Sequence, residues 1–296
     1  MAVIANATTL ASLDDVIITE FINRMSAQSL GRAPVVYQRG TYSVPLLGTN
    51  SNVYAHPLRQ EMTAANTKVE TDEAEVAEVT LDENTVSTKM VARAAFVSDE
   101  ASQDSIWNAL AMASEEVTWS CAKRIDIDFT ALASSFTSPI GDASTVNSVR
   151  NFVLTQTAWT AKVESSPSMP LMVMHPDARR DLQLDAVENA AAWFGASAGV
   201  QLHDAVSGVY NGRVTQFDGI QMVTSSRLPV GDTTGWSNMM IIPDGRNAAI
   251  AMPWIQDIQL EFQREGLRKG GYVIASVRYG MGKVDDDAGL TFITRT

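Results

Sequence analysis

From about Ser98 to Ser134 the chain repeats apolar residues at helical spacing. Ile106, Leu110, Ala113, Val117, Cys121 and Ile125 follow one another at intervals of three and four, which places them on a single face. One helix carrying that stripe through about 30 residues would be roughly 45 Å long at 1.5 Å per residue, far beyond the usual helix of a globular protein. Asp99, Glu100 and Asp104 stand near its start, where the helix dipole favours carboxylates. Glu115, Glu116, Lys123, Arg124, Asp126 and Asp128 interrupt any apolar run long enough to cross a bilayer, so a membrane role is not expected. The stripe therefore demands protein along its whole length, and the helix reads as a spine.

The remaining composition narrows the class. A chain of 296 residues with 45% hydrophobic and 19% charged content can bury a large core in one or two lobes. Its 34 acids against 22 bases, a net charge of −12, and the lack of any Lys/Arg cluster argue against broad binding to nucleic-acid backbones. Cys121 is the only cysteine and lies on the apolar stripe, so it reads as a small buried hydrophobe, with no intrachain disulfide and no cysteine-rich metal site.

The N-terminus has neither the charged start nor the compact apolar block of a secretion signal, and synthesis in the cytoplasm is the expectation. Leu10, Leu13, Ile17, Phe21 and Met25 repeat at helical spacing, with Asp14, Asp15 and Glu20 on other faces. Such an arm needs a surface to pack on, either its own domain or a neighbouring subunit. Between Tyr37 and Val97 the period shortens. Val76, Val79, Leu81, Val86, Met90, Val91, Phe96 and Val97 alternate with polar residues, and Asp82, Glu83 and Asn84 suggest a turn between two strands. Seven acids, Glu70, Asp72, Glu73, Glu75, Glu78, Asp82 and Glu83, make this hairpin half polar. It has too little apolar surface to stand alone and should lie on something else.

After a Ser/Thr/Gly/Pro loop at Thr137 to Thr145, a helix is expected around Val146, Val149, Phe152 and Val153. Leu171 to Met174 reads as a short strand, and His175-Pro176 as the start of a helix through Leu182 and Val187. Two hairpin signals follow: Asp218-Gly219 before Ile220 to Val223, and Pro243-Asp244-Gly245 between Met239 to Ile242 and Ala248 to Met252. The last 45 or so residues alternate as strands through Ile255, Ile258, Leu260 and Phe262, then Tyr272, Ile274 and Val277, then Leu290, Phe292 and Ile293. The lobe after the spine reads as α/β or α+β, and the whole chain as α+β.

Chemistry-bearing motifs are few, and each has a structural explanation. Gly195 to Gly199 matches the G-x-S-x-G nucleophile elbow around Ser197, but a helical, alanine-rich stretch precedes it where a strand is needed. The only later histidine, His203, has no acid between it and Ser197 to complete a triad in the usual order. Ser120 and Lys123 have S-x-x-K spacing but lie mid-helix without companion motifs. His175-Pro176-Asp177 reads as a helix cap, and Asp285 to Asp287 lacks the alternating ligands of a calcium loop. Gly280, Gly282 and Lys283 lack the spacing and the helix of a phosphate loop, and His56, His175 and His203 fall in separate segments. No residue is assigned a catalytic, cofactor-binding or metal-binding role, and no cofactor is expected.

The ordered segments resemble the major capsid proteins of tailed double-stranded DNA bacteriophages, the Hong Kong 97-like fold. The resemblance is carried by the arm MAVIANATTLASLDDVI, by EVTLDENTVSTKMVARAAFVSDEA leading into the spine, and by LMVMHPDARRDLQ followed by FDGIQMVTSSRLP. It implies an N-terminal arm at 1–36, an extended loop at 37–97, a peripheral domain of 98–145 with 252–296, and an axial domain at 146–251. It also implies a structural, non-enzymatic protein of the virion capsid. Such a protein self-assembles through pentamers and hexamers into an icosahedral shell around double-stranded DNA, without sequence-specific binding. Scaffolding, portal and decoration proteins are the partners it brings with it. An encapsulin-type compartment, which shares the fold, is the alternative, and a serine hydrolase using Ser197 a remote one. Nothing in the sequence marks the Lys–Asn crosslink that some members form.

Overall fold

The computed structural model describes residues 36–47, 51–59, 81–104, 108–137, 140–142, 144–162, 170–188, 216–217, 220–230, 235–243, 245, 247–266 and 268–295. The N-terminal arm, the acidic stretch 60–80, and Ser197 with His203 lie outside these residues.

The spine forms, but not as one helix. A short helix α1 (Tyr37–Gly40) precedes strands β1 (Tyr42–Pro45), β2 (Val53–Arg59), β3 (Leu81–Ser87) and β4 (Lys89–Ser98). After β4 comes a six-residue helix, α2 (Asp99–Asp104), and the main helix α3 (Ala109–Ala131) begins afresh at Asn108. Asn108 has extended backbone, and its side chain accepts the Ala111 N–H at 3.1 Å, a regular N-cap. The expected continuous helix is thus corrected to 23 residues, about 35 Å. A single 3-10 turn, Leu132–Ser134, closes it. Val117, Cys121 and Ile125 are buried as the stripe requires, and Ala111, Ala122 and Phe129 widen the buried face.

That face packs on a first sheet of order β1-β9-β10-β4, in which β9 (Ile250–Glu265) and β10 (Gly270–Tyr279) form a long antiparallel pair. The small β11 (Gly282–Lys283) joins β9. The second sheet has the order β12-β8-β5-β7-β6. It comprises β5 (Leu171–Met174), β6 (Gln216–Phe217), β7 (Ile220–Thr224), β8 (Trp236–Ile241) and β12 (Gly289–Thr294). Helices α4 (Val149–Lys162) and α5 (Pro176–Glu188) accompany it, α5 starting at the expected proline. All four residues of β5 are buried, as a central strand's continuous apolar run predicts. One contiguous core spans both sheets, from Val36, Cys121 and Phe129 through Met172, Met240 and Ile241 to Val277 and Phe292.

Two expectations are revised. Asp82, Glu83 and Asn84 are not a turn: they lie within β3, paired with Leu58, Pro57 and His56 of β2. The pair β2–β3 is the hairpin, and β4 belongs to the body, matched to β10 residue for residue from Lys89–Tyr279 to Ser98–Gly270. Gly245 takes φ +85° and the Ala249 N–H donates to the Ile242 carbonyl at 3.1 Å, but β8 and β9 lie in different sheets, so the chain crosses between sheets here and the expected hairpin of paired strands is not formed. The ends of the 37–97 stretch are embedded in the first sheet, since β1 pairs with β9 and β4 with β10. Likewise β12 pairs with β8 in the second sheet.

Candidate functional site

The most heavily built feature outside the core is the root of the β2–β3 hairpin. Val86 of β3 is buried with Ala251 and Val284 in a small cluster of its own, against which Tyr54 packs. The Asn84 amide donates to the Val284 carbonyl at 2.7 Å, and Tyr54 Oη lies 3.0 Å from Nδ1 of His56, itself buried. Where the chain turns from β3 to β4, the Thr88 N–H and hydroxyl both donate to the Asn52 carbonyl (2.8 and 3.1 Å), and Arg278 reaches the Asn52 side chain at 2.7 Å. Gly280 and Gly282, which in sequence look superficially like a phosphate loop, serve this root. A Cβ on Gly280 would stand 2.7 Å from the Ser87 carbonyl oxygen, and one on Gly282 would stand 2.7 Å from Val86. Only glycine lets β10 and β11 pass so close beneath the hairpin. A two-stranded ribbon that is marginal alone is thereby fastened to the body.

A second junction fixes where the chain leaves its N-terminal arm. Asp126 of α3, only 1% exposed, accepts the backbone N–H groups of Val36 and Tyr37 (3.1 and 3.2 Å) with one oxygen and the Arg227 guanidinium (2.8 Å) with the other. Burial pushes the Asp126 carboxyl up, against the downward pull of those donors and of the Arg227 charge. One carboxylate thus ties the start of α1 to the spine helix and to the loop after β7. Beside it opens a cleft of about 290 Å³, lined by Tyr37, Ile125, Met252, Trp254 and Val277, with Asp257 among its polar residues.

Two further carboxylates act in the same manner. Asp128 receives Tyr279 Oη (2.5 Å), Lys89 (2.5 Å) and Arg124 (3.0 Å), joining α3 to β10 and β4. Burial first, and the Asp128 hydrogen bond next, push the Tyr279 hydroxyl far above its ordinary range. Asp286 accepts from the Thr137 N–H (3.0 Å) and hydroxyl, and from Lys283 (2.8 Å). Partial burial raises its carboxyl, but these donors outweigh it and hold the group well below the carboxylate range. The aspartate triplet is therefore a structural knot rather than a cation loop. Apart from these ties, the surface shows apolar side chains in the open: Met90 at 66% and Phe96 at 42% on β4, Leu154 at 53% on α4.

The other sequence motifs are not brought together. Ser120 and Lys123 lie mid-way along α3, and the Lys123 ammonium sits 5.0 Å from the Trp119 ring. His175 is buried at the end of β5, stacked on Trp236 at 3.7 Å, and its Nδ1 accepts the Asp177 N–H, the helix-cap role expected of it. Burial lowers its pKa. Among the described residues, no three His, Cys, Asp or Glu side chains group as metal ligands, and no helix is long and apolar enough to cross a membrane. Sequence reasoning missed Asp126, Arg227 and the fully buried Asn238, whose oxygen accepts the His175 N–H at 2.7 Å. For Asp126 a signal was present: a charge at helical spacing between Ala122 and Phe129.

A two-sheet body packed on a spine helix, with a hairpin fastened at its root, defines an α+β fold of the Hong Kong 97-like class. No family model and no curated protein matches the sequence. Solved structures do. The capsid of cyanophage P-SCSP1u superposes with a TM-score of 0.63 at 11% identity over 89% of each chain. The mature capsid of bacteriophage PhiM1 gives 0.63 at 10% identity over 87% of this chain and 86% of that one. A virus-like particle from Pyrococcus furiosus gives 0.60 at 9% identity, covering 92% and 98%. At such identities the likeness establishes the fold.

Proposed function

We propose that this chain is a structural major capsid protein, without catalytic activity. It assembles through pentamers and hexamers into an icosahedral shell that encloses a double-stranded DNA genome. The observation that carries the reading is the fastened hairpin: a ribbon with no core of its own, held at a rigid root, is built to reach across a neighbouring subunit. Capsid structures that share the fold over nearly nine-tenths of the chain support it. Repeated modest contacts would supply the free energy of assembly, with charged pairs on the acidic hairpin setting register more than strength. The net charge of −12 suits a wall that must not grip packed DNA.

The parts follow from this reading: arm at 1–36, extended loop at 37–97, peripheral domain at 98–145 with 252–296, axial domain at 146–251. The strand pairing favours counting β1 and β4 with the peripheral body and β12 with the axial sheet. Scaffolding, portal and decoration proteins are the proposed partners, and the virion capsid the proposed location, after synthesis in the host cytoplasm. Light scattering of the purified chain at several concentrations and salt levels, followed by electron microscopy, tests the proposal. Rings of five or six chains, or megadalton shells, are expected. Deleting residues 60–75 should abolish closed shells and leave a folded body, and normal particles from that variant would sink the role given to the hairpin. The particle from Pyrococcus furiosus, covered almost completely by the match, keeps a second reading in play, a protein compartment. Protein cargo instead of DNA inside purified shells would favour it.

A further inference from the structure

We propose that the free edge of β4 is an interaction surface for a second copy of this chain, two copies joining their β4 strands antiparallel about a two-fold axis into one continuous sheet. The inference does not depend on the shell reading.

The strand is open on one side. β4 ends the first sheet, and among the described residues it pairs with β10 alone. Edge strands are commonly kept short, bulged, broken by proline or guarded by charge, because a free row of N–H and C=O groups invites another strand. β4 has ten residues, no proline and an unbroken register along β10. The Cys121 thiol lies 3.7 Å from the Ala275 carbonyl of β10, which sets the spine helix inboard of that edge. The two faces of β4 also differ. Val91 and Ala95 pack on the core, and Lys89 reaches Asp128 of the spine. The other face carries Met90, Ala92, Ala94 and Phe96, all exposed and none charged. Phe96 is already held in place by Tyr272 of β10, with ring centroids 5.1 Å apart.

The strand complements itself in one register. Residues directly opposite each other in a sheet share a face, so a two-fold pairing must centre on a single residue. Centred on Arg93, it would set two guanidinium groups against each other, which is unfavourable. Centred on Ala94, it places Phe96 opposite Ala92, so that each ring meets a small side chain, and it places Arg93 opposite Ala95 and Met90 opposite Ser98. Just past the strand, Asp99 of each copy then comes alongside Lys89 of the other, opposite charges at both ends. Their side chains are 39% and 48% exposed, free enough to meet. Pairing residues 90–98 in this way makes about eight to ten backbone hydrogen bonds, the number carried by an interface of standard size.

Sedimentation of the full-length chain, separated from any larger particles, tests the pairing. A two-chain species should grow with concentration. Ala94→Lys brings two ammonium groups face to face on the axis and should raise the dissociation constant by roughly tenfold or more, with the far-UV spectrum unchanged because residue 94 is exposed. Ala94→Cys treated with a short bis-maleimide should link two chains, whereas Ser43→Cys on β1, at the opposite edge of the sheet, should not; native Cys121 is wholly buried. A chain that stays monomeric at every concentration, or a dimer that Ala94→Lys leaves as tight as before, would overturn the pairing. Rings or shells whose Ala94→Cys chains fail to crosslink would remove this inference alone and leave the capsid reading standing.

Discussion

The buried pair Asp126–Arg227 offers the sharpest test of how the chain is held together. Asp126→Asn keeps an oxygen for the Val36 and Tyr37 N–H groups but turns an amide N–H₂ toward the Arg227 guanidinium, whose side chain is 14% exposed. A largely buried cation then loses its only anion among the described residues, a loss that costs about 3–5 kcal/mol. Arg227→Gln is milder, about 2–3 kcal/mol, because the carboxylate keeps its two backbone donors and gains an amide N–H in place of the guanidinium. Combining the two builds a neutral amide pair in the same space, and the cost should fall to about 1–2 kcal/mol. Urea unfolding followed by circular dichroism reads the series. With a slope of about 3 kcal/mol per molar, Asp126→Asn should lower the midpoint by roughly 1–1.7 M and the double variant by well under 1 M. If the double variant's loss equals the sum of the single losses to within about 0.5 kcal/mol, the two residues do not act as a pair and the junction has been misread.

Three other outcomes follow from the geometry. Gly280→Ala places a methyl group against the Ser87 carbonyl, a backbone atom that cannot swing aside, so faster proteolysis of the hairpin is expected with little change in the far-UV spectrum. His175 is neutral in the fold with its pKa depressed by burial, so the folded state binds fewer protons than the unfolded one below about pH 6.5. Stability should therefore drop as pH falls through that value, and His175→Gln should flatten the drop in a pH series of thermal melts. Tyr279→Phe removes a donor from the Asp128 carboxylate and should cost about 1.5–3 kcal/mol in urea unfolding, less if Lys89 and Arg124 close the gap.

What could be read from the chain was what depends on neighbours in sequence. The strand Leu171–Met174 and the helix opened by Pro176 appear where four apolar residues and a proline put them. The spine was legible as a face but not in length. Ile106 and Leu110 continue the spacing across Asn108, whereas the N-cap that breaks the helix is a property of one short side chain. Asp82 to Asn84 carry the composition of a turn, yet pairing with β2 and the Asn84 bond to Val284 hold them extended, a contact across 200 positions that no local pattern encodes. The same distance hid the junction at Asp126: its partners Val36 and Arg227 lie 90 and 101 residues away. The hairpin's need for a support was visible because it rests on composition alone, and the glycines that provide the support were visible only as an apparent motif.

The crossing at Pro243 to Gly245 has a mechanical meaning. The chain passes from the second sheet into the first there, β12 returns to the second, and a single core lies beneath both. Counting the earlier passage from β4 to β5, the described strands cross between the sheets three times and share their filling, so neither sheet can tilt without emptying space inside the other. On the shell reading proposed above, a tile of this kind would keep its shape, and any difference in curvature between its positions would have to be taken up outside the two-sheet body.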